Sequence, residues 1–105
     1  MAGHAHIEHW SLLMHRHIAD RIERGDLAPL RAARQNLANW RRRHGELTFA
    51  QSEWGMILAG PLPQLLAILR DPGDQEAIRL RGNSPFAGAL DDRLRVELLH
   101  EARAA

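Results

Sequence analysis

Apolar residues in the first quarter of the chain recur at intervals of three and four. Ile7, Trp10, Leu13, Met14, Ile18 and Ile22 share one face of an amphipathic helix predicted over about residues 6–24. Gly25 stops it. Asp26 then caps a second helix whose first turn tolerates Pro29, and Leu30, Ala33, Leu37 and Trp40 carry the period on until Gly45 provides a C-terminal stop. Thr48 and Gln51 have the spacing of a capping box, so FAQSEWGMIL is predicted as a third helix with Trp54, Ile57 and Leu58 inward, ended by Gly60 and Pro61. In PLPQLLAILRD, the residues Leu62, Leu65, Leu66, Ile68 and Leu69 make an almost all-round apolar surface. A short fourth helix is therefore expected, buried on more than one side at the centre of the fold. DPGD closes it, and Asp74 starts another helix over QEAIRLR. Asp91 and Asp92 sit at the N-terminal end of a last helix with Leu94, Leu98 and Leu99 inward. No strand pattern or internal repeat is visible. The expectation is all-α: one compact domain over residues 1–105, a bundle of five or six short helices, its first and last few residues frayed.

One stretch breaks the pattern for longer than a usual helix connection: RGNSPFAGAL, residues 81–90. Pro85 biases Ser84 toward an extended backbone and Gly82 and Gly88 permit turns on either side, which puts Phe86 on a defined projection. Either Phe86 plugs the end of the bundle beside Leu80 and Leu90, or it is held out as an aromatic anchor for a partner. The physics favours the plug. Arg79 and Arg81 are expected to project from the same end.

Composition narrows the function more than the fold. A chain of 105 residues, 45% hydrophobic and 26% charged, suits one domain that buries about 65% of its unfolded surface. The absence of cysteine excludes disulfides, thiolate metal sites and a cysteine nucleophile. MAGHAHIEHW lacks the layout of a signal peptide and no apolar run approaches a membrane span, so the cytoplasm is the default location and no membrane association is expected. All 14 basic residues are arginine, which removes Schiff-base chemistry and the P-loop lysine. A formal charge of +1 argues against a strongly basic nucleic-acid coat.

Candidate chemistry is sparse. Of the seven histidines, His4, His6, His9, His15 and His17 crowd the N-terminal segment, and His6 and His9 have an i, i+3 spacing. No HExxH or carboxylate-rich cluster accompanies them, so the reading is structural, with no metal and no cofactor. Arg41, Arg42, Arg43 and His44 form the one basic run, and Arg31 and Arg34 lie on the preceding turns. Basic residues at a helix C-terminus complement its dipole; the same run also suits an acidic protein surface or phosphates. The chain has no Lys, Cys or Tyr, no nucleophile elbow and no glycine-rich phosphate loop, and its adjacent Asp91 and Asp92 read as capping residues. No enzyme is expected.

Three segments carry a resemblance. RxNLxxW in the second helix (Arg34, Asn36, Leu37, Trp40), then SEWGMILAGPLPQLLAIL, then RLRGNSPFAGAL followed by an acidic, arginine-containing helix (Asp91 to Arg95) resemble small bacterial proteins with an EW…LL…LR…SPFAG.L signature, over roughly residues 30–100. Related segments resemble the C-terminal part of some Xre-type helix-turn-helix regulators, and stand-alone versions occur in modules with nucleotidyltransferase-like toxins. The resemblance implies an antitoxin-like protein that neutralises a cognate bacterial toxin by steric occlusion. Arg41, Arg42 and Arg43, or Arg79 and Arg81, would pair carboxylates on the toxin while Phe86 fills a hydrophobic recess. This chain departs from the regulator form in lacking a helix-turn-helix ahead of the shared region; a His-rich first helix stands there instead. Two further readings accompany it: a nucleic-acid-binding regulator using Arg41 to His44 against phosphates, with DNA bound directly or through the toxin complex, and a homodimer sharing its core through the first helix.

Overall fold

The computed structural model describes residues 2–104, with side chains from Ile7 onward, as an all-α bundle. Its helices are α1 (Ala2–Glu23), α2 (Ala28–His44), α3 (Phe49–Ala59), α4 (Leu62–Arg70), α5 (Gln75–Arg81) and α6 (Asp92–Ala104). The expected fraying of the termini falls in part on Met1, Ala105 and the first side chains, which lie outside the described residues.

Most helix ends are where local chemistry puts them. Gly25, at φ 96°, ends α1 in a Schellman turn: its N–H bonds the Ile22 carbonyl and the Asp26 N–H reaches back to Arg21. Gly45, at φ 79°, ends α2 in the same left-handed region. Thr48 and Gln51 form the predicted capping box at the start of α3. Asp74 accepts from the Ala77 N–H to start α5, and Asp91 from the Leu94 N–H to start α6. One cap differs in detail. Leu27 occupies the N-cap of α2, and Asp26, one residue earlier, supports the turn by accepting from the Ala28 N–H.

The centre of the fold is α1, not α4. With 22 residues, α1 is long enough to touch α2, α4, α5 and α6, burying Leu12, His15, Ile18, Ala19 and Ile22. The nine residues of α4 make only about two and a half turns, so they lie against α1, α3 and α5 from one side. Leu65 and Leu69 are buried, Leu66 and Ile68 are half-buried, and Leu62 is 45% exposed. A single apolar cluster joins Ile18, Ala33, Leu37, Trp54, Leu58, Leu65, Leu69, Leu80, Phe86 and Leu90. No described helix is long and apolar enough to cross a membrane.

Candidate functional site

The Gly82–Leu90 segment is a clamped loop. Pro85 is fully buried and Phe86 is 4% exposed, its ring edge-on to Trp54 at a centroid distance of 5.8 Å and to His15 at 6.1 Å. Phe86 is thus the plug, which is the arrangement the physics of the sequence favours. Side chains of α1 and α2 tie the loop backbone, and one from α3 ties the end of α5 that leads into it. From α2, the Asn36 amide donates to the carbonyls of Pro85 and Ala87 at 2.8 and 2.9 Å. From α1, Arg21 donates to the Ala89 carbonyl at 2.7 Å while pairing with Asp26. From α3, the Trp54 indole N–H donates to the Leu80 carbonyl at 2.8 Å.

His15 is the fourth tie, and its chemistry is fixed by its partners. Its Nδ1 lies 2.6 Å from the Ser11 carbonyl, an obligate acceptor, so Nδ1 carries the proton and Nε2 accepts from the Ser84 hydroxyl at 2.7 Å. Ser84 Oγ in turn accepts from the Phe86 N–H at 3.1 Å. Burial pushes the imidazole down to about 4; its hydrogen bond with the Ser11 backbone opposes that shift and the charge of Arg81 adds to it. The Ser–His pair is a neutral structural link whose base is too weak to activate a hydroxyl near neutral pH.

These ties predict that Asn36→Ala loses about 1–3 kcal/mol of stability, since two carbonyls give up their donors with no replacement. Urea unfolding checks it, and a midpoint equal to that of the unaltered chain would show that Asn36 does not hold the loop.

The arginines separate into two groups. Arg79 is engaged on both sides, bidentate to Glu53 at 2.9 Å and bonded to Glu76, and both carboxylates raise its pKa. Arg81 is 5% exposed and donates to the Ile68 carbonyl at 2.8 Å, closing the C-terminal end of α4; burial lowers its pKa against the opposing charge of Asp71. Neither projects from the bundle end as the sequence suggested. Arg41, Arg42 and Arg43 do project. All three are exposed at the end of α2, and among the described residues none meets a carboxylate at ion-pair distance. Arg42 bonds the side chain of Asn39.

On α3, which follows this run after residues 45–48, two exposed apolar side chains stand that the sequence did not single out. Phe49, the first residue of α3, is 80% exposed and Met56, two turns on, is 76% exposed. Helical geometry carried the signal: Met56 lies about 160° around the helix from both Trp54 and Leu58, and Phe49 is about opposite Leu58. Of the N-terminal histidines, His4 and His6 have side chains outside the described residues, while His9 and His17 are half-buried. Among the described residues no three His, Asp or Glu side chains converge as metal ligands.

No protein-family model, curated protein or solved structure matches this chain. The fold and the two surfaces carry the functional reading.

Proposed function

We propose that this chain is an antitoxin-like protein, which binds and neutralises a nucleotidyltransferase-like toxin by covering its acidic cleft with the face where α2 ends and α3 begins. The observation that carries this reading is exposure on consecutive helices: Arg41, Arg42 and Arg43, free of ion pairs among the described residues, at the end of α2, and Phe49 and Met56 on α3, which starts after the four-residue connection 45–48. Guanidinium forks pair bidentately with carboxylates, and a central aromatic group beside them excludes the water that weakens such pairs. Phe49 and Met56 are the two most exposed large apolar side chains among the described residues, and their spacing of seven puts them on one face of α3. They also favour a protein over duplex DNA, which rewards charge and offers little to Phe49. Phe86 and Arg81 act in this reading as the scaffold behind the surface, and Arg79 as an internal tie between α3 and α5.

Co-expression with the proteins encoded beside it, followed by affinity capture, tests the reading. A stoichiometric complex with a nucleotidyltransferase-like protein is expected. Combined charge reversal of Arg41, Arg42 and Arg43 with Phe49→Ser is expected to weaken it by about 30-fold or more, the equivalent of one interface hot spot. Unchanged capture by that variant overturns the surface. Retention of duplex DNA in place of a protein, with steep salt dependence, overturns the antitoxin reading in favour of a regulator.

A further inference from the structure

A second surface has none of Arg41, Arg42, Arg43, Phe49 or Met56 among its lining residues. There the first half of α1, the loop and the start of α6 enclose a cleft of about 340 Å³. Its walls are largely apolar: Ile7, Trp10 and Met14 from α1, and Phe86 and Leu90 from the loop. The charged side chains lining it are Arg81 and Arg95, with no carboxylate among the described lining residues. His15 also lines it but is neutral, with both ring nitrogens already in hydrogen bonds.

We infer that this cleft binds a flat aromatic carboxylate. Its size falls at the small end of ligand pockets, and an apolar lining with a few placed polar groups is what such pockets share. The ring of Trp10 and the thioether of Met14 suit an aromatic body through stacking and sulfur contacts, over a floor to which the buried Phe86 contributes. Trp10 is fixed as a wall because its indole N–H donates to the Arg95 carbonyl at 3.1 Å. The Arg95 guanidinium lies 5.9 Å from the centre of that same ring, at the rim. Its described carboxylate partner, Asp92, is a long 3.5 Å contact whose own side chain is 98% exposed, so a ligand carboxylate displaces it at little cost. The loop that forms the floor is held by Asn36, Arg21 and His15, so the cleft exists before any ligand enters.

The test is a titration of the isotope-labelled full chain with 2-naphthoate, followed by the amide and indole N–H resonances. Saturable shifts are expected at the Trp10 indole and the 82–90 amides, with 2-naphthamide binding about threefold more weakly. In Arg95→Gln the acid and the amide are expected to bind alike, and Met14→Trp, which fills the cleft, is expected to abolish binding of both. Contacts between naphthyl protons and the Met14 methyl in the unaltered protein supply the same answer should Met14→Trp fail to fold. Equal binding of acid and amide to the unaltered protein overturns the carboxylate assignment. Shifts centred on Phe49 and Met56, or the absence of naphthyl contacts with Met14, overturn the site. Failure of the antitoxin reading leaves every one of these outcomes unchanged.

Discussion

Phe86→Ala is expected to cost about 3–5 kcal/mol, as large-to-small changes at a filled aromatic site do, and to lower the melting temperature of a domain this size by about 15–30 °C. The ring closes the bundle between Trp54 and His15, and its backbone N–H completes the Ser84 link, so the cavity left behind faces the apolar cluster. Pro85 is fully buried and the loop is tied at three further points, which limits its freedom to collapse into the space. Phe86→Leu, which keeps much of the volume, is expected to lose far less. Denaturant unfolding of both variants, read beside partner capture, separates scaffold from contact. A Phe86→Ala chain of unaltered stability that no longer captures its partner would make Phe86 an anchor after all.

The second large effect is a loss of stability on mild acidification. His15 is held neutral in the fold by burial, with a pKa near 4, whereas in the unfolded chain it takes up a proton near its ordinary 6.5. The unfolded state therefore binds the additional proton first as the pH falls. Stability is complete above about 6.5, declines through the interval and reaches its full loss as the pH passes about 4. The total comes to about 3 kcal/mol for this one group. Unfolding free energies measured from pH 7 to pH 4.5 check it, with His15→Gln expected to flatten the dependence; an equally steep curve in that variant would assign the effect elsewhere. At lower pH the carboxylates of Asp26, Glu53 and Asp71 begin to contribute. Each is held low in the fold: Asp26 by the Ala28 N–H and Arg21, Glu53 by Arg79, and Asp71 by the N–H groups of Gly73 and Asp74. Their stabilisation is lost as they protonate.

What the chain discloses and what it withholds divide along the range of the forces involved. Thr48 with Gln51, Gly25, Gly45, Asp74 and Asp91 act within one turn of themselves, so the helix ends they set were legible. The helical class and the inward placing of Phe86 followed from periodicity and from turn residues bracketing a lone aromatic. The centre of the bundle did not, because all-round apolarity in α4 says nothing of how many neighbours a nine-residue helix can reach. Arg81 reads as a surface cation in any sequence, and only the unpaired carbonyl of Ile68, 13 positions away, explains why it is buried. Asn36 and His15 find their loop partners 49 and 69 positions away, beyond any local rule. In the candidate surface Arg41, Arg42 and Arg43 were legible as a run, whereas Phe49 was obscured by its place inside an otherwise inward-facing apolar segment.

The position of α1 has a consequence for how the protein is made. Of the six helices this one leaves the ribosome before the others, yet three of the four that enclose it, α4, α5 and α6, lie beyond residue 60. Until α4 emerges, the growing polypeptide carries an amphipathic segment whose apolar face has only α2 to lean on, and the keystone at Phe86 follows α4 and α5. Closure of the bundle is a late, nearly all-or-none event. Until residues 86–104 have joined it, the nascent bundle is exposed to proteases and chaperones.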